Sequence, residues 1–137
     1  MNQRKCKKKS LWRKYQNITF EARQQPVYHY FAILTAFNPR SIVLTHSDNA
    51  KRNIALENNL TMLTDAWMPI CCRSLDGYWA EPSFAVDLPF EQVFKLAKVF
   101  EQNAIYWIEN NRLYLVPVLL EGIETQNLGK WSTFFYT

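Results

Sequence analysis

The stretch Val27–Phe37 constrains this chain more than any other. Its residues Val27, Tyr28, Tyr30, Phe31, Ile33, Leu34, Thr35 and Phe37 favour extended backbone. Apolar side chains fall on both the odd and the even positions. A strand with two apolar faces has to be covered on both, so the segment reads as a central, doubly covered strand. Asn38-Pro39-Arg40-Ser41 ends it, because proline lacks the ladder donor and pushes the residue before it into extended or turn geometry.

Other elements follow from local signals. Ser10 is a candidate cap for a short helix from Leu11 to Gln16, and Ile18–Arg23 alternates like a strand. Gln24-Gln25-Pro26 marks a turn. After a loop from Ile42 to His46, Ser47 or Asp48 is expected to cap a helix that runs to Leu60 or Leu63. Trp67–Arg73 is expected as an edge strand because Pro69 interrupts it. Asp76-Gly77 signals a tight hairpin, and Ser83–Asp87 returns as a strand. Pro89 suits the first helical position, and Phe90, Val93, Phe94, Ala97 and Phe100 form a core-facing stripe in a helix ending near Asn103. Ala104–Ile108 and Leu113–Leu119 pair across Asn110-Asn111, residues that tolerate left-handed backbone.

The expectation is an α+β single domain. It has an antiparallel or mixed sheet of about five to six strands, with two main helices packed on it and a short N-terminal helix. Residues 1–10 read as a basic, mobile arm and 11–120 as the domain. Residues 121–137 read as an aromatic tail that forms a final strand or docks on the body or a partner.

Composition excludes several classes. With 48% hydrophobic residues in 137, the chain can bury a core, and whole-chain disorder is implausible. No apolar run approaches the ~20 residues of a membrane span. The basic start has no apolar segment behind it, so a secretion signal is not expected. Three cysteines, Cys6, Cys71 and Cys72, are an odd count that fits reduced thiols and a cytoplasmic location. They and the isolated His29 and His46 give no zinc spacing, so no metal and no cofactor is indicated. Charge is unevenly spread. Residues 1–14 carry seven basic residues and no acid, which leaves residues 15–137 at a net −3. Arg4, Lys5, Lys7, Lys8 and Lys9 are therefore candidates for holding a nucleic-acid backbone, set against a plain solvated terminus.

Three places combine residues able to carry chemistry. The first is the corner Asn38-Pro39-Arg40-Ser41 with the helix after it. There Asn49, Asn53, Leu56 and Leu60 share one face, so two amides continue an apolar stripe and need partners. Arg52 lies beside them. With Asn38, Arg40 and a helix N-terminus, they make a candidate site for phosphate or carboxylate. The structural alternative is that the amides bond the loop while Arg40 or Arg52 pairs with Glu81 or Asp48. The second place is Tyr78–Ser83, where Glu81 is a weak candidate acid–base residue and Trp79 a candidate stacking wall. The third is Gln102–Trp107. Tyr106 and Trp107 point to opposite faces of a strand, one to the core and the other to a pocket wall, and Trp107 is taken as the wall.

These words taken together resemble a known family. Thr35-Ala36-Phe37-Asn38-Pro39-Arg40-Ser41, the pattern Asn49, Arg52, Asn53, Leu56, the stretch Trp79, Glu81, Pro82, Ser83, Phe84, and Gln102-Asn103-Ala104-Ile105-Tyr106-Trp107 resemble the bacterial family called domain of unknown function 3293. The likeness extends from about residue 12 to 118 and implies a small bacterial cytoplasmic protein. It implies no activity. The leading expectation is binding of an anionic small molecule or nucleotide by Asn38, Arg40, Asn49, Arg52 and Asn53, with Glu81, Trp79 and Trp107 around it. The alternatives are a nucleic-acid-binding module led by the basic arm, and a non-catalytic protein-interaction module using the tail.

Overall fold

The computed structural model describes the backbone of residues 3–137 and the side chains from residue 8 onward. Its order is α1 (Gln3–Gln16), β1 (Ile18–Glu21), β2 (Tyr30–Leu34), α2 (His46–Leu63), β3 (Trp67–Ser74), β4 (Ala80–Val86), α3 (Phe90–Val99), β5 (Ala104–Glu109), β6 (Arg112–Pro117), β7 (Gln126–Lys130) and β8 (Phe135–Tyr136). All eight strands join one sheet in the order β7-β6-β5-β2-β4-β3-β1-β8. Seven strands pair antiparallel, and β8 adds to β1 in parallel, which makes the sheet mixed.

β2 is the central strand, between β5 and β4, and both its faces are covered. Ala32 and Leu34 pack outward on Leu56 and Leu60 of α2 and on Val93 and Ala97 of α3. Phe31 and Ile33 pack inward with Ile18, Phe20, Ile70, Ala85, Ile108 and Trp131. One strand thus joins two cores by the alternation of its side chains.

The inner core exists because the sheet curls. β7 and β8 are opposite edges of the sheet, yet only Trp131–Phe134 separates them in sequence. Such a link reaches at most about 18 Å, so the two edges must approach each other. Trp131 fills the gap, its ring centroid 5.3 Å from that of Phe20 in β1 and 5.5 Å from that of Phe31 in β2. The result is a curled half-barrel with α2 and α3 outside it.

Several details differ from expectation. The sheet has eight strands rather than five or six, and the added pair comes from the tail: β7 is polar and broken by Gly129, and β8 has two residues, so neither shows a strand period. α1 begins at Gln3, which leaves Ser10 inside the helix and not at its cap. The hydrogen-bonded part of β2 ends before Phe37 because Ala36 and Asn38 bond side chains of α2, and Phe37 bonds the Thr35 hydroxyl and the Gln102 amide, instead of a neighbouring strand. Thr45, not Ser47 or Asp48, caps α2, accepting from the Asp48 N–H at 3.1 Å. Pro89 is the cap residue before α3, and α3 stops at Val99. β3 is interior, between β4 and β1. β1 covers only Cys71–Ser74, so Pro69 lies where β3 has just one neighbour and needs no second ladder bond. Asn110 and Asn111, at φ 51° and 58°, form the left-handed hairpin turn between β5 and β6. No helix of the described residues is long and apolar enough to cross a membrane.

Candidate functional site

The chain leaves β2 at Thr35 and runs beside α2 without ladder pairing to any strand. Its backbone groups still need partners. The Asn53 Oδ1 accepts from the Ala36 N–H at 2.8 Å, and the Asn53 Nδ2 donates to the Pro82 carbonyl at 2.9 Å. Arg52 donates through Nε to the Ala36 carbonyl at 2.7 Å and through Nη2 to the Phe100 carbonyl. The Asn49 Oδ1 accepts from the Asn38 N–H at 2.8 Å, while its Nδ2 donates to the Asn38 Oδ1 at 2.8 Å. The polar half of the α2 stripe thus holds the corner onto the sheet.

Asn38 itself takes left-handed backbone, φ 46° and ψ 67°, which asparagine tolerates better than most residues. This turn points its amide two ways. Oδ1 accepts from Leu44 N and Asn49, and Nδ2 donates to the Glu81 Oε1 at 3.3 Å. Asn38 links the corner to a cavity.

The cavity has a volume of about 220 Å³ and lies between α1, the end of β2, the loop 38–43, the facing stretches of β3 and β4, and the start of β5. Glu81 faces it from β4 and Trp79 from just before β4. α1 closes one side with Leu11, Lys14 and Tyr15, spaced three and four apart so that they share a helix face. The Tyr15 hydroxyl bonds the Ser41 hydroxyl, and the Asn103 Nδ2 donates to Ser41 Oγ at 3.0 Å. Tyr106 stands beneath them and donates its hydroxyl to the Tyr15 carbonyl.

Burial decides the protonation states here. Removal from water pushes the Glu81 carboxyl up to about 7, with the Asn38 amide working the other way by favouring the carboxylate. Burial also raises the Tyr15 hydroxyl, against the hydrogen bonds from Ser41 and Asn103. The Cys72 thiol rises well above its usual range through burial and then through Glu81, so it is an inert neutral group and no nucleophile. Near neutral pH only Glu81 among these groups changes charge.

The structure brings Asn38, Trp79 and Glu81 together at the cavity. It sends the other sequence candidates elsewhere. Arg40 points to solvent and pairs with Glu101 at 3.4 Å, neither with Glu81 nor with Asp48. Asn49, Arg52 and Asn53 are occupied by backbone and by Asn38. Trp107 faces the helix side, against Tyr30 and Phe90. Register explains the last case: Tyr106 pairs with inward Ile33, and Trp107 with outward Ala32, so Tyr106 is the residue of the two that lines the cavity. Tyr15, Ser41 and Asn103 were not legible as a site, since Tyr15 lies 26 residues from Ser41 and 88 from Asn103 in sequence. Of the basic candidates, Lys8 and Lys9 are described, and Lys8 donates to the Glu121 carbonyl at 3.3 Å. The side chains of Arg4, Lys5 and Lys7 lie outside the described residues. No group of three or more potential metal ligands occurs among the described residues.

A family model described as "Protein of unknown function (DUF3293)" matches residues 34–105. The chain belongs to this family. No curated protein and no solved structure matches it significantly. The DUF3293 match runs from the end of β2 to the start of β5, so it takes in Asn38, Trp79, Glu81 and Asn103 together with the whole α2 clamp. Tyr15 and the rest of α1 lie outside it, as does Tyr106.

Proposed function

We propose that this protein binds a small, planar, polar molecule in the cavity and that Glu81 is the group that reads it. The observation carrying this reading is a mostly buried carboxyl at the cavity wall whose one described protein partner, Asn38, engages Oε1. Ligand sites are mostly apolar concavities with a few converging polar groups. This cavity has that character, with Leu11, Phe37 and Val43 among its apolar walls and Trp79 as an aromatic face. Its volume of about 220 Å³ is below the ~300–1,000 Å³ of drug-sized sites, which favours a ligand of one or two rings.

The anion expected at the corner changes in this reading. Arg40 is turned to solvent and Arg52 is bonded to carbonyls, so the guanidinium groups needed for a buried phosphate are committed elsewhere. A carboxyl of intermediate acidity instead favours a ligand with N–H donors, held by the carboxylate. Glu81 is also suited to exchange a proton with such a ligand, because its acidity lies near neutral pH.

The test is a thermal-shift and calorimetry panel of neutral heterocycles, amines, carboxylates and phosphates, run on wild type and Glu81→Gln. The titratable and charged neighbours of Glu81 are Lys14 and Tyr15 from α1, Cys71 and Cys72 from β3, and Tyr106 from β5. Burial raises the tyrosines and thiols, which stay neutral through neutral pH, so the pH response of this group belongs to Glu81. A ligand donating N–H to the carboxylate binds more tightly as pH rises through about 7. The gain is at most about tenfold per pH unit below that point and levels off above it. Glu81→Gln removes that dependence and most of the affinity. A best binder that ignores both pH and the substitution would sink the reading.

A further inference from the structure

The positive charge of this chain is concentrated on the one helix that walls the cavity. α1 carries Arg4, Lys5, Lys7, Lys8, Lys9, Arg13 and Lys14 with no acid, against a net −3 for residues 15–137. Lys14 lies in the same face as Leu11 and Tyr15, is exposed, and lines the cavity, so a cation stands where the cavity meets solvent. Arg13 and Lys9 are also exposed on this helix. The cavity interior has the opposite character, with Glu81 and amide and hydroxyl groups around an apolar wall. A ligand that satisfies both parts has a flat ring with N–H donors at one end and an anion at the other.

We propose that the cavity and the cationic end of α1 form a single site for a nucleotide unit, with the base inside and its phosphate on Lys14, the cation that lines the cavity, beside the exposed Arg13. This deepens the proposed function and rests on it. Bases outside a helix are recognised by stacking on aromatic side chains and by hydrogen bonds to their edges, and Trp79 and Glu81 supply one of each. A carboxylate accepts two adjacent N–H donors side by side, so the base favoured is one with an amidine edge, as in guanine. Phosphate contacts with lysine and arginine add affinity that is independent of sequence and weakened by salt. The same chemistry arrives as a free nucleotide or as one unit of a single strand whose neighbouring phosphates extend along α1.

The experiment compares guanosine, guanosine monophosphate and short guanine-containing single strands of RNA and DNA by calorimetry on the full chain, at low and high salt. It uses wild type, Glu81→Gln and the double variant Arg13→Glu with Lys14→Glu. Both charge changes are at exposed positions, and a thermal melt checks that each variant is folded. The expected result is that the nucleotide binds at least about tenfold more tightly than the nucleoside at low salt, and that high salt closes the gap. The charge variant erases the gap between nucleotide and nucleoside, while Glu81→Gln weakens both ligands. Further salt-sensitive tightening with a strand identifies the strand as the source, and equal affinities identify the free nucleotide. Equal binding of nucleoside and nucleotide by wild type overturns the joint site but leaves the cavity reading intact. Strand binding that follows charge and ignores Glu81→Gln also overturns it, since the helix then acts without the cavity. Binding of other heterocycles but of no guanine compound overturns this inference alone, and a panel with no Glu81-dependent ligand of any kind overturns both.

Discussion

Two polar clusters meet at Asn38, and they have been built to opposite specifications. On the α2 side, Asn49, Arg52 and Asn53 have their donors and acceptors met by backbone groups or by Asn38. On the cavity side, Glu81, Tyr15, Ser41 and Asn103 bond mainly one another and Asn38, and they border open volume. The first cluster substitutes for a missing strand. The second keeps part of its hydrogen-bonding capacity unused among the described residues, at the edge of open volume. Residue type does not separate them, since both hold asparagines and charged groups. The separation lies in whether each polar atom already has a partner.

The largest expected effect breaks the saturated cluster. Asn53→Ala orphans the Ala36 N–H and loses a donor to the Pro82 carbonyl, with Asn53 itself buried. At about 1–3 kcal/mol for the orphaned N–H and about 1 kcal/mol for the bond lost at the Pro82 carbonyl, which keeps the Thr35 hydroxyl, the loss of folding stability is about 2–4 kcal/mol by chemical denaturation. A loss under about 1 kcal/mol means that water replaces the amide and that this cluster is no clamp.

Glu81→Gln should do the reverse, and its sign depends on pH. The folded carboxyl has an affinity for protons raised from 4.5 to about 7, so between those values the folded state holds more proton than the unfolded one. Wild-type stability is therefore full below about pH 4.5, falls as pH rises through about 7, and is level above that. The difference is on the order of 3 kcal/mol, so the glutamine variant is the more stable protein at pH 8 and gains almost nothing at pH 4.5. Parallel pH–stability curves for the two proteins would mean that Glu81 is not the strained group of the cavity.

How much of this was legible in the chain follows the same division. The doubly apolar period of β2 and the stripe of Asn49, Asn53, Leu56 and Leu60 were readable, because both are local repeats, and the latter four are all buried. The partners of those asparagines were not readable, because they depend on where residues 36–38 pass after leaving the sheet. The parity of Tyr106 and Trp107 was also hidden, because it is set by pairing with Ile33 and Ala32 some 70 residues earlier. β8 carries no sequence signal at all, since two residues have no period; only the closing of the sheet on Trp131 creates it.

Tyr15→Phe sharpens the comparison at the cavity. The hydroxyl joins α1 to Ser41 and Asn103, the contacts that hold this helix face over the cavity. Its removal costs about 1 kcal/mol of stability. It should also raise amide exchange in α1 while leaving α2 protected, because α1 is otherwise tied by a few polar contacts such as Trp12 and Gln16 to Gln126. Equal exchange in both helices would place α1 in the same cooperative unit as the sheet.

The smallest effect is expected at Arg40, the residue whose charge drew most attention in the sequence. Its ion pair with Glu101 is 3.4 Å long, with the two side chains 57% and 47% exposed, so water and salt weaken it and its worth is about 0–1 kcal/mol. Arg40→Ala should lower stability by less than about 0.5 kcal/mol and leave ligand responses unchanged, because the guanidinium does not line the cavity. Arg40 also has a φ of 54°, a left-handed backbone that costs any residue bearing a Cβ. Arg40→Gly removes that strain, which offsets the lost ion pair and leaves the glycine variant at least as stable as the alanine one. If Arg40→Ala instead abolishes a ligand response that Glu81→Gln leaves intact, the binding site is the corner and not the cavity.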